Sequence, residues 1–69
     1  MDIPTKIKMA EVYAKISETE LSHKMGTSPQ AFNQRMKTGK FSSEELVRIA
    51  NALGAEFVCK FCFPDGTEI

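Results

Sequence analysis

The 69-residue chain predicts a small, mainly α domain, four helices followed by a C-terminal β-strand or hairpin. Three observations predict it. Between Thr5 and Gly54, apolar residues recur at three- and four-residue spacing, the period of helices buried on one face. Start signals of the form Ser/Thr-x-x-Glu/Gln occur at Ser17, Thr27 and Ser42, and Gly26, Gly39 and Gly54 act as stops. From Ala55 the period drops to two, as in a strand.

The elements follow in order. Met1 to Pro4 is expected as an extended lead-in, because a residue before proline disfavours helix. The first helix is expected over Thr5 to Lys15, with Thr5 as N-cap. Ile7, Ala10 and Ala14 form its core stripe. Met9, Val12 and Tyr13 form a second apolar stripe, so the helix needs cover on two faces. Ile16 leads into the next helix, which Ser17 and Glu20 open as a capping box. There Leu21 and Met25 share a face and Gly26 is the stop. Thr27 and Gln30 spell a second box one residue later, with Pro29 in the first turn and Phe32 and Met36 as the inward pair. Two helices crossing within so short a turn make a helix-turn-helix. Lys37-Thr38-Gly39-Lys40 is a basic loop. Ser42 and Glu45 open the last helix, whose stripe is Leu46, Ile49, Ala50 and Leu53.

Phe57, Cys59, Phe61 and Phe63 then alternate with Val58, Lys60 and Cys62. Pro64-Asp65-Gly66 is a turn signature, and Thr67 to Ile69 can return as a second strand. One domain is expected over 1–69, a helical bundle over 1–54 and a tail over 55–69. A lone strand leaves its backbone polar groups unpaired, and a two-stranded hairpin is marginal. Phe57, Cys59, Phe61 and Phe63 are therefore expected to form a homodimer interface, the rival being a lid folded back on the first helix.

The outer face of the third helix points to function. Ser28, Gln30, Asn33, Gln34 and Lys37 lie on or beside it, opposite Phe32 and Met36. Gln and Asn amides match adenine in the major groove, and Lys matches guanine or phosphate. A face made mainly of amides also lacks the charge pairs of a merely solvated helix.

The stretch S-E-T-E-L-S-H-K-M-G-T-S-P-Q-A-F resembles the Cro and phage-repressor class of helix-turn-helix DNA-binding domains, and F-S-S-E-E-L-V-R-I-A-N-A-L-G is similar to the helix that follows the motif there. The two cover Ser17 to Gly54. The resemblance implies a repressor-like bundle with the helix after Gly26 in the major groove. It sets Pro29, Gln30, Asn33 and Gln34 toward base edges, and Ser17, Thr27 and Lys37 toward phosphates; beside them Ser28 is expected to read bases, and Arg35 and Lys40 to meet phosphates. Ser22 fills a position where Ala is usual. Arg35 departs from the class, which often has an apolar residue there, and Met36 takes the apolar role. A dimeric repressor acting by operator occupancy on double-stranded DNA is the implied function. An antitoxin-like module with a protein partner is the alternative.

Nine basic and nine acidic side chains cancel, whereas DNA-binding domains are usually basic. The distribution matters more than the total. Residues 21–40 carry Lys24, Arg35, Lys37 and Lys40 and no acid, while residues 41–69 carry two bases against five acids. No apolar run is long enough for a membrane span and no signal peptide is recognisable, so a cytoplasmic protein is expected. Cys59-x-x-Cys62 suits neither redox chemistry nor zinc here. In a strand the two thiols face opposite ways, and only His23 could add a nitrogen ligand. Free, at least half-buried thiols are expected, with His23 at the surface. No catalytic set, metal site or cofactor motif is present, and no enzyme is expected.

Overall fold

The computed structural model describes residues 2–69. The helices are α1 (Ile3–Ala14), α2 (Glu18–Lys24), α3 (Pro29–Thr38) and α4 (Ser43–Ala52). The chain is thus a small, mainly helical domain, with no sheet among the described residues.

α1 begins earlier than its sequence suggests. The Asp2 carboxylate accepts from the Thr5 N–H at 2.9 Å, so Asp2, not Thr5, is the N-cap. The Thr5 side chain and, next, its N–H hold the Asp2 carboxyl below its usual pKa. Ile3 and Pro4 are then the first two helical residues, where a missing N–H loses no intrahelical bond. The extended lead-in is corrected to a cap and a first turn, and its Met1 lies outside the described residues.

Three helices end in the same hydrogen-bond pattern. After α2, the Thr27 N–H reaches back to the Ser22 carbonyl at 3.0 Å, and the Gly26 N–H to His23 at 3.0 Å. After α4, Ala55 and Gly54 repeat it on Ala50 and Asn51. After α1, Ile16 and Lys15 do the same on Glu11 and Val12. These are Schellman caps, which place one residue in the left-handed region. Gly26 and Gly54 fill it with φ of 75° and 73°, while Lys15 adopts φ 59° without a glycine's freedom.

α2 is the hub, packing on α1, α3 and α4. Its Leu21 is wholly buried and joins Ile7, Phe32, Met36, Ile49 and Leu53 in one core. Ser22 is equally buried, and its hydroxyl donates to the Thr19 carbonyl at 2.7 Å. A small side chain whose polar atom bonds its own helix is what this crossing accepts. Glu11 is also buried, and its Oε2 has no hydrogen-bond partner.

The tail departs from expectation. The strand expected from Phe57 to Phe63 does not form. Phe61 exchanges both backbone hydrogen bonds with Ile69, at 2.6 and 2.9 Å, and Phe63 donates to Thr67 at 2.8 Å. One antiparallel bridge, Cys62 with Glu68, completes this minimal hairpin. Residues 56–60 pair with nothing in the backbone, as expected where no third strand supports a two-stranded ribbon. Phe57 is half-buried in a groove of about 220 Å³ lined by α1 and α4, which ties it to its own bundle. Cys59 and Cys62 are exposed, not buried or half-buried, because the strand that would have covered them is missing. The lid does not form either. Met9, Val12 and Tyr13 are 55, 78 and 92% exposed.

Candidate nucleic-acid interface

The turn between α2 and α3 fixes the candidate face. Gly26 carries the positive φ, and Ser28 accepts from the Ala31 N–H at 3.1 Å as the cap of α3. The expected cap was Thr27, one residue earlier. A cap at Ser28 puts Pro29 at the first helical position, which proline prefers. Thr27 is instead half-buried, with its N–H in the Schellman cap. Both residues are therefore part of the turn, and the Ser28 Oγ is engaged as an acceptor.

With Phe32 and Met36 pinned in the core, the other side of α3 faces solvent. Gln30, Asn33, Gln34 and Lys37 fall within an arc of roughly 100° at 3.6 residues per turn. All four are exposed, and with the half-buried Pro29 they line a shallow depression of about 340 Å³. Among the described residues, none of these four side chains makes a hydrogen bond or ion pair within the chain. The helix fixes where they emerge, and their amides and ammonium group are free to bond outward.

The basic residues divide into two sets. Arg35 points away from that arc, toward α4. It binds Glu45 at 2.6 Å, donates to the Lys40 carbonyl at 2.9 Å, and lies 5.3 Å from the centre of the Phe41 ring. Phe41 in turn packs at 6.3 Å on Phe32. Arg35 and the Ser42 N–H together hold the Glu45 carboxyl down at about 2. Arg35, expected to meet phosphate, is engaged in the structure as the clasp between α3 and α4. Lys24 donates to the Ala52 carbonyl at 3.4 Å, and Arg48 to the Met25 carbonyl at 3.0 Å, each at a helix C-terminus where cations are favoured.

Lys37 and Lys40 remain available. Lys8, which the sequence did not single out, joins them. It lines a cleft of about 790 Å³ with Thr5 from α1, Asn33 and Lys37 from α3, and the acids Asp2 and Glu18. Helix packing alone brings Lys8 beside α3, and no local sequence signal marks it. Pro4 lies against Gly39 at this edge, 3.5 Å from where a Cβ would stand. Ser17 is exposed at the start of α2 and caps it, accepting from the Glu20 N–H at 3.1 Å. His23 is exposed, as expected.

No group of three or more metal-ligating side chains occurs among the described residues. No described helix is long and apolar enough to cross a membrane. No protein-family model, curated protein or solved structure matches the chain.

Proposed function

We propose that the chain is a sequence-specific double-stranded DNA-binding regulator of the Cro and phage-repressor kind that its sequence resembles. In this reading α3 enters the major groove and Gln30, Asn33 and Gln34 read base edges. Lys37, Lys40 and Lys8 neutralise phosphates, and a dimer occupies two half-sites about 34 Å apart. Repression follows from occupying an operator and excluding polymerase.

One observation supports the reading above the others. The exposed arc of α3 carries three amides and a lysine with no partner among the described residues, on a helix held by a Schellman turn and a serine cap. A solvated helix face more often carries opposite charges three or four apart that pair with one another.

Selection of bound sequences from a random duplex library, followed by titration of the winner, tests the reading. Gln34→Ala should cost about 1–3 kcal/mol on the selected site and leave binding to unrelated duplex nearly unchanged. Equal loss on both would move Gln34 to a backbone contact. No enrichment at low salt would overturn the proposal and favour a protein partner.

A further inference from the structure

Two apolar faces of this chain are left uncovered. One is the outer side of α1, where Met9, Val12 and Tyr13 stand exposed around a shallow hollow of about 510 Å³ completed by Thr5 and Lys8. The other is the hairpin. Phe61 and Ile69 are directly paired and Phe63 follows two residues on, so these three share one face. They are 73, 74 and 49% exposed. Cys62 and Glu68 fall on the opposite face, where Lys60 meets Glu68 at 2.8 Å.

The surface as a whole is too large for a compact monomer. A 7.7 kDa chain exposes about 4300 Å² when compactly folded, but this one exposes 5212 Å². Its radius of gyration is 13.3 Å, against about 11 Å for a compact chain of this length. The excess of about 900 Å² is close to the roughly 800 Å² that each partner buries in a standard interface.

Charge favours α1 of a second copy as the partner of the hairpin. Lys6 lies on one side of the α1 stripe and Lys8 and Lys15 on the other by helical spacing, and the one acid of that helix, Glu11, is buried. The tail holds Glu56, Asp65 and Glu68 against Lys60 alone, and Lys60 is paired with Glu68. The hairpin's one acid outside an ion pair is Asp65 at its turn, since Glu68 is paired with Lys60 on the far face, and it suits the basic rim of the α1 stripe better than a second Asp65.

We propose that two copies of this chain clasp reciprocally, the hairpin of each laying Phe61, Phe63 and Ile69 across Met9, Val12 and Tyr13 on α1 of the other. A two-fold axis makes the two contacts identical. Aromatic anchors in both faces suit the centre of such an interface. The clasp supplies the dimer that the proposed function needs, but it leaves the α3 arc untouched and is tested without DNA.

The test is sedimentation of the full chain and two double variants, Met9→Asp with Tyr13→Asp and Phe61→Asp with Phe63→Asp. All four positions are exposed, and circular dichroism confirms that the helices persist. The intact protein should dimerise at micromolar concentration. Each double variant should raise the dissociation constant by about 100-fold or more, because the symmetry doubles every lost contact. Mixing the two variants under separate fluorescent labels should produce energy transfer, since an intact α1 then meets an intact hairpin. A dimer that survives the α1 changes would overturn the clasp in favour of hairpin pairing. An intact chain that stays monomeric at high micromolar concentration, or a mixture without energy transfer, would also overturn it. If the clasp holds and no duplex is bound, only the DNA reading fails.

Discussion

Replacing Glu11 by Gln tests the balance of the core directly. The Glu11 carboxyl is buried, its Oε2 has no partner, and its pKa is raised from 4.5 to about 7. Burial is the main cause, the nearby Glu18 carboxylate adds to it, and Lys8 opposes it. In the unfolded chain the group ionises near 4.5, while the folded chain keeps its proton until about 7. Stability is therefore whole below 4.5, falls as pH rises toward 7, and stays low above that. At 1.36 kcal/mol per pH unit the loss is roughly 3 kcal/mol, an upper bound because Lys8 and water at the rim can relax toward the charge. Gln has nearly the same shape and no charge at any pH. Any cost of its buried amide is the same at every pH, so the difference between the two proteins isolates the ionisation. Urea unfolding near pH 4.5 and near pH 8 should show Glu11→Gln gaining about 2–3 kcal/mol on the wild type across that interval, on the order of 10 °C in melting temperature. A difference that does not change with pH would refute the reasoning. So would a wild type whose stability is flat from 4.5 to 8.

Arg35→Ala should lower the melting temperature, since it removes the Glu45 pair, the Lys40 carbonyl bond and the contact with Phe41. It should also shrink the acid-induced loss of stability between 4.5 and about 2, the interval over which Glu45 is ionised when folded and protonated when unfolded. An acid titration of far-ultraviolet dichroism measures both. Gly39→Ala should cost roughly 1–2 kcal/mol in urea unfolding, because φ is 68° there although the Pro4 contact leaves room for a methyl. With Lys37, Lys40 and Lys8 on phosphates, log affinity for duplex should fall with log salt at a slope of about −2.7 per subunit, and Lys37→Ala should flatten it by about 0.9.

What was legible in the sequence was local. Ser42 and Glu45 form their reciprocal capping box as spelled, at 3.1 and 2.9 Å. Gly26, Phe32 and Met36 set the turn and the inward side of α3, and that is enough to find the arc of Gln30, Asn33, Gln34 and Lys37. Where two caps were spelled side by side, the neighbours decided. Pro29 settled Ser28 over Thr27 by preferring the first helical position, and Asp2 outcompeted Thr5 because its carboxylate reaches the Thr5 N–H. Contacts made by helix packing left no such mark. Glu11 reads as a solvated acid on α1 until α2 covers it, Lys8 reads as a surface lysine until α3 lies beside it, and Arg35 reads as free until Glu45 folds back from α4. The alternation from Phe57 to Phe63 was a true pattern without a partner strand, so it produced a hairpin tip and no sheet.

The distribution of charge carries a consequence for the proposed function. Three of the basic side chains, Lys24, Arg35 and Arg48, are engaged with helix-end carbonyls, a loop carbonyl or Glu45. Arg35 is neutralised by Glu45, whereas Lys24 and Arg48 keep their charge but are tied to carbonyls at the ends of α4 and α2, away from the α3 arc. The free lysines beside α3 are few, and Asp2 and Glu18 share the cleft with Lys8 and Lys37. Sequence-independent affinity for duplex comes mainly from neutralised phosphates, so a monomer of this chain should hold random DNA weakly. In the proposed reading, two joined subunits would double the phosphate contacts and pair two amide arcs with two half-sites, the second site binding at the effective concentration set by the linkage. A neutral chain would then gain its affinity for an operator from base contacts and from being double. Disrupting the hairpin or the Met9, Val12 and Tyr13 stripe should therefore weaken operator binding far more than removing any one lysine, although of the residues around that hollow only Lys8 is placed on a phosphate.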